Sequence, residues 1–301
     1  MNRLGILMAL VGLLAAAASG CGQPKSAYEE CHATLTRSRD VLIEGDRALS
    51  MGGAERAAGL YVQAGNDLKA ALEKVEQAEA DSQEKIRALD EEKTRTGSSP
   101  VVAQERTVTI GARSVPMDRY YAENLAAYRE LWGAVVQMRS VALSRAAEAQ
   151  YRIGAQAVLD GDQFYRARQF NTAEKRYGLA ERSFRPALDL LGQTTEFLET
   201  KAATSSRLAA SPPEVWESIE QVRQVAAERR NQADAYLRAT LQRLSQTVRI
   251  VDAYRFRQPG NIPTIEIQPL APLPEIVRTG VVQPPIPSTE PRAAPAPQPT
   301  P

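Results

Sequence analysis

The stretch VLDGDQFYRARQFNTAEKRYGLAERSFRPAL, residues 158–188, has a counterpart 116 positions upstream, and the pair decides the fold. Residues 41–72 fall on 157–188 without a gap. Gly45-Asp46 lands on Gly161-Asp162. Ala57, Tyr61, Ala64, Ala71 and Leu72 land on Ala173, Tyr177, Ala180, Ala187 and Leu188, and Leu68 lands on Phe184. The shared frame, A-x3-Y-x2-A-x3-[LF]-x2-A-L, alternates steps of 3 and 4 residues and so draws one stripe along an α-helix. The glycine lies about three helical turns upstream, beyond a turn at Ser50–Gly53 in the first copy and Arg168–Phe170 in the second. Each copy reads as a helix, a tight turn and a second helix. Small residues stand where the helices approach, and one tyrosine fills the gap between them.

The second copy resembles a tetratricopeptide repeat, the helix–turn–helix unit of about 34 residues. Gly161, Phe164, Phe170, Ala173, Tyr177 and Ala180 match its small and aromatic positions in order and spacing, and Pro186 sits one place beyond its closing proline. In the first copy Gly45, Ala57, Tyr61 and Ala64 hold the frame, while Ala48 and Ala54 replace the two phenylalanines. The resemblance implies a protein-binding scaffold. The copies are 116 residues apart rather than adjacent, which points to long helical hairpins in a bundle rather than a stacked array.

The first twenty residues read as a targeting segment. Arg3 precedes an unbroken small or apolar run from Leu4 to Ala18, and Ala18-Ser19-Gly20-Cys21 follows. The run is short for a bilayer span and ends in small residues, the pattern of a cleaved signal. Ending at a cysteine, it resembles the bacterial lipoprotein signal. That resemblance implies cleavage before Cys21, acylation of Cys21 and a lipid anchor. Gly22 in the next position implies the outer membrane, with the protein facing the periplasm. The alternative is an ordinary secretory signal beside an unrelated cysteine.

Composition narrows the partners. The chain carries 37 basic and 36 acidic side chains, and loss of Arg3 with the signal leaves them equal. A neutral chain has no electrostatic case for nucleic acid or an anionic membrane surface. Aromatics make up only 6% of the residues and alanine is abundant, which suits close helix-on-helix packing.

Along the mature chain, Ser26-Ala27-Tyr28-Glu29 forms a capping box that opens a first helix. Its seam is Tyr28, Cys31, Leu35, Ser38, Leu42, Gly45 and Leu49. A second helix starts near Ala54, and its seam holds through Val75 and Ala78 before dissolving into the mixed charges of 81–93. Residues 94–113 break the helical pattern, with Thr107–Ile110 alternating like a strand. Pro116 opens a third helix striped by Tyr121, Leu125, Tyr128, Trp132, Val135, Ala142, Ala146, Ala149 and Ile153. A fourth runs from about 171 to 207, with a kink or break expected near 182–186 because Pro186 lacks an N–H. Ser211-Pro212-Pro213-Glu214 opens a fifth, striped by Trp216, Ile219, Val222, Ala226, Ala233, Leu237, Leu241, Leu244, Val248 and Val251. From 258 the chain turns proline-rich and extended. One segment there, Thr264–Ile267, alternates like a strand and is expected to pair with 106–110.

Chemistry is sparse. His32 is the chain's one histidine and adjoins Cys31 on a helix, so the two side chains point about 100° apart. No zinc cluster can be assembled from one histidine and two cysteines, and no glycine loop suits a phosphate or nucleotide cofactor. Paired carboxylates such as Glu29-Glu30 and Glu91-Glu92 are the pattern of a solvated helix face, with a carboxylate-based hydrolase as the remote alternative. Cys31 either packs as a small hydrophobe or joins two chains into a homo-oligomer.

The expected fold is all-α: a bundle of about five long helices built from two related helical hairpins, with a disordered Pro-rich C-terminal tail. Its parts are a signal peptide (1–20), a lipidated tether (21–26), a helical domain (27–257) and the tail (258–301). The helical domain divides into repeat units of about 28–94 and 117–207 and a fifth helix at 212–257. The expected role is a non-catalytic, lipid-anchored periplasmic scaffold or adaptor that binds a protein partner and needs no metal or cofactor. The alternative is a spacer whose tail reaches from the membrane to the cell wall.

Overall fold

The computed structural model describes residues 27–96, 107–110, 113–202 and 213–256. Cys21, the capping residues Ser26 and Ser211, and the tail with Thr264–Ile267 lie outside the described residues. Five α-helices account for nearly all of the rest: α1 (Ala27–Ser50), α2 (Ala54–Thr96), α3 (Met117–Arg166), α4 (Phe170–Ala202) and α5 (Pro213–Arg255). Each packs antiparallel on the next, and α1, α3 and α5 lie parallel in one layer. The protein is an all-α bundle of two related hairpins, α1–α2 and α3–α4, with α5 laid beside the second.

The two hairpin turns are the same turn. Gly53 donates its N–H to the Ala48 carbonyl at 2.8 Å, and Gln169 donates to Phe164 at 2.9 Å. Gly52 donates to Leu49 at 3.1 Å, and Arg168 to Tyr165 at 3.0 Å. All four pairs keep the 116-residue offset and form the Schellman pattern that ends a helix through one left-handed residue. That residue is Gly52 in the first turn (φ 82°) and Arg168 in the second (φ 60°). Glycine accepts this conformation without strain, whereas an arginine's Cβ is crowded there.

α3 is the axis of the molecule. At about 1.5 Å per residue its 50 residues span roughly 75 Å. It touches every other helix, and from Leu131 to Leu143 only Arg139 is not buried. The expected single stripe is therefore too narrow: in mid-helix the whole circumference is core. One hydrophobic cluster gathers α1, α2, the first half of α3, the end of α4 and the start of α5, and a second the later half of α3 with the rest of α4 and α5.

The structure adds a strand partner to one expectation and corrects two others. The strand at Thr107–Ile110 pairs antiparallel with Arg113–Pro116, its nearest neighbour in sequence, as a hairpin of β1 and β2. A short hairpin closes with little loss of chain entropy; the pairing expected with 264–267 lies outside the described residues. Pro186 does not break α4, which continues from Phe170 to Ala202. Pro186 and Arg182 both face solvent, so water can satisfy the Arg182 carbonyl that loses its helical donor. On α5 the expected stripe holds at Ile219, Val222, Ala226, Ala233, Leu237 and Val251, but the buried face departs from it by one residue at the start and from Thr240 to Thr247. Val215 is buried, whereas Trp216 is 43% and Leu241 38% exposed. Arg229, Thr240, Arg243 and Thr247 continue the buried face, because their polar atoms find partners inside the bundle.

Candidate functional site

The residues of the repeat frame are committed to the interior. Gly45, Ala57, Tyr61 and Ala64 are buried in the first hairpin, and Gly161, Ala173, Tyr177 and Ala180 in the second. A Cβ on Gly45 would lie 2.5 Å from the Tyr61 ring, and one on Gly161 would lie 2.6 Å from the Tyr177 ring. The glycine is therefore the slot into which the tyrosine of the second helix fits. Phe164 and Phe170 are only half-buried. Phe170 stacks on Tyr254 with centroids 5.8 Å apart, which ties the second turn to the end of α5.

The aspartate beside each glycine completes a three-residue cluster. The Tyr61 hydroxyl donates to Asp46 at 2.7 Å, and the Tyr177 hydroxyl to Asp162 at 2.6 Å. An arginine from the next parallel helix then meets each carboxylate. Arg145 of α3 donates to Asp46 at 2.6 Å, and Arg243 of α5 to Asp162 at 2.9 and 3.3 Å. Burial, followed by the hydrogen bond to the carboxylate, pushes both tyrosines well above their ordinary pKa of 10.0. They stay neutral donors, so these clusters lock helices together and hold no nucleophile.

Sequence comparison within the chain finds the aspartates but misses the arginines. Arg145 and Arg243 are 98 residues apart, not 116, so the offset that aligns the aspartates does not align them.

Other polar side chains cross the helix interfaces in the same way. Glu76 of α2 accepts from the Trp132 indole at 3.0 Å and pairs with Lys201 of α4. The fully buried Glu79 pairs with Arg129 at 3.2 Å. Glu148 of α3 pairs with Arg152 and with Arg229 of α5. Among the described residues no group of His, Cys, Asp or Glu is arranged to hold a metal ion. Cys31 is 1% exposed and contacts the Ala71 carbonyl at 3.5 Å, and burial raises its pKa. It packs as a hydrophobe and is not presented for a bond to a second chain. His32 is half-buried and stacks on Tyr28.

What remains open to a partner is a groove. α2 and α4 lie close at one end, where Glu76 meets Lys201, and part towards the hairpin turns. Between them a space of about 460 Å³ opens onto α3. Ala58, Gly59 and Val62 of α2 form one wall, Leu179 and Ser183 of α4 the other, and Gln150 and Ile153 of α3 the floor. Val62 is 40% exposed there. Small residues at 58 and 59 leave the floor reachable, and nothing in the groove forms a catalytic constellation. No protein-family model matches the chain, and no curated protein or solved structure matches it significantly.

Proposed function

We propose that the protein is a lipid-anchored helical scaffold of the periplasmic face of the outer membrane, which holds a protein partner and performs no catalysis. The observation that carries the partner is the groove over Gln150 and Ile153. It is mostly apolar, with Glu55, Gln150 and Ser183 also in its lining, and built from both hairpins, and an amphipathic segment of another protein fits such a trough without a deep pocket. The anchor rests on the Ala18-Ser19-Gly20-Cys21 motif.

Two substitutions test the parts separately. Cys21→Ala should leave an unprocessed precursor without acyl chains, whereas the native protein should be processed and partition into detergent. Val62→Glu should leave anchoring and folding intact but abolish crosslinks formed in cells by a photoreactive residue at position 58. A native protein with an unmodified N-terminus overturns the anchor. Unchanged crosslinks in the Val62→Glu variant overturn the groove.

The spacer reading is favoured by one feature. The chain enters the bundle at Ala27, but α5 ends beside Phe170, at the opposite end with the hairpin turns. The proline-rich segment therefore starts from the end away from the anchor. A spacer loses its role when residues 258–301 are shortened, and a scaffold loses it when the groove is mutated.

A further inference from the structure

Two helices of the bundle outrun the others, and they do so at the end where the chain enters. Tyr28 of α1 lies beside Tyr128 of α3, with centroids 6.3 Å apart, and Glu30 pairs with Lys74 of α2. The first turn of α1 is therefore level with about residue 127 of α3 and residue 76 of α2. α5 starts further in, since Ser218 meets Gln137 at 2.8 Å, and the described part of α4 ends about level with the start of α1, since Lys201 meets Glu76. Beyond that level, among the described residues, only α2 and α3 continue, as an antiparallel pair.

At about 1.5 Å per residue, α3 projects roughly 15 Å past the start of α1 and α2 roughly 30 Å. Arg129 on Glu79 holds the base of this prong, and Lys85 over the Tyr121 ring, 5.4 Å from its centroid, holds its middle. The β-hairpin of β1 and β2 joins α3 at Met117 and so stands at the tip.

The prong is poorly covered for a helix pair. Ile86 and Leu89 of α2 and Met117, Tyr120, Tyr121 and Leu125 of α3 are only half-buried. A two-stranded ribbon is marginal in water on its own, and among the described residues this one packs on α3.

The covalent limit on the anchor says what meets it. Six residue steps separate Cys21 from Ala27, a reach of at most about 20 Å at ~3.3–3.6 Å per step. The prong is as long as the tether or longer. A bundle tied at Cys21 cannot stand clear of the bilayer on that tether without its prong touching the surface.

We propose that the α2–α3 prong, tipped by the β1–β2 hairpin, is a foot that rests in the headgroup layer of the anchoring bilayer. Tyrosines with a half-exposed apolar ring and a polar tip suit that layer. The prong carries Asp81, Glu84, Asp90, Glu91, Glu92, Asp118 and Glu123 against Lys85, Arg87, Lys93, Arg95 and Arg119, so its charge gives no attraction to anionic lipid. The foot is held down by the tether and does not bind vesicles by itself. In this posture the groove and the end of α5 are turned away from the membrane. The inference rests on the lipid-anchor reading.

The test uses lipidated protein reconstituted into phosphatidylethanolamine–phosphatidylglycerol vesicles that carry a headgroup nitroxide lipid. In a Cys31→Ala background, a fluorophore is placed at Met117→Cys on the prong or at Met51→Cys at the opposite end, where the native side chain is 78% exposed. The probe at 117 should lose most of its emission and the probe at 51 none. A ten-residue Gly/Ser insertion after Gly22 should restore emission at 117 while the protein still floats with the vesicles. Floating protein with an unquenched probe at 117, or with both probes quenched alike, overturns the foot and leaves the anchor standing. Crosslinking of position 117 to another protein in cells, without quenching, assigns the prong to that protein instead. Protein that does not float overturns the anchor reading and the foot with it.

Discussion

A methyl group on Gly45 or Gly161 would sit 2.5 or 2.6 Å from a ring that is itself fully buried and tied to a carboxylate. Neither ring can retreat, so Gly45→Ala and Gly161→Ala should each cost about 1–3 kcal/mol by overpacking, read from urea melts. The two aspartates should differ. Asp162 and Arg243 are both at least nine-tenths buried, and Asp162→Ala strands the guanidinium in the core, at a cost of about 3–5 kcal/mol. Asp46 is 45% exposed, and its loss should cost about 1 kcal/mol or less. Equal losses at the two positions would contradict the unequal burial. Tyr61, Tyr151 and Tyr177 all titrate above the ordinary value when folded, with burial the largest cause. The unfolded chain therefore ionises first. Their contribution is complete below about pH 10 and is lost as pH climbs past it, by about 1.4 kcal/mol per pH unit for each tyrosine. Tyr177→Phe should make alkaline unfolding shallower by one proton. The glycine, aspartate and tyrosine of each cluster were legible as a repeat. The arginines were not, because a partner supplied by a third helix leaves no mark at the repeat offset.

At the scale of elements, the helix boundaries were legible wherever a backbone signal stood at them: Gly52-Gly53, Pro116 and Pro213. The end of the seam on α2 was not. Its buried positions continue past Ala78 as Glu79 and Ser82, which periodicity counts as surface but Arg129 and the Ala78 carbonyl satisfy. The departure of α5 from its expected stripe has the same cause, since Arg229, Thr240 and Arg243 look like a solvated face until their partners are known. Two predictions belong here. Arg168 occupies the left-handed position that glycine fills in the first turn, so Arg168→Gly should stabilise the protein by about 0.5–1 kcal/mol. A fall in melting temperature would mean that the Arg168 side chain holds the turn. Pro186 lies inside α4 where the first copy has Ala70. Pro186→Ala returns a backbone donor to the helix and should add up to about 3 kcal/mol. The gain shrinks if solvation of the Arg182 carbonyl already offsets most of the loss.

The whole molecule is bound together by one helix with a core on each side of it. Ala146 belongs to the first hydrophobic cluster and Ala147 to the second, and both are wholly buried. Two hairpins 116 residues apart suggested separable repeat units, and sequence alone could not show that α3 closes the first while opening the second. Its all-round burial between Leu131 and Leu143 conveys that sharing, and no single stripe can express it. If the sharing governs stability, neither hairpin persists without the other. Tyr61→Ala perturbs the first cluster and Tyr177→Ala the second, each at a cost of about 3–5 kcal/mol. For a domain of this size, that lowers the melting temperature by roughly 10 °C. Calorimetry should show one transition in both variants, shifted as a whole, with calorimetric and van't Hoff enthalpies equal. Two resolved transitions, with only the mutated half shifted, would show that the hairpins unfold independently and that α3 can fray from one while it stays packed on the other.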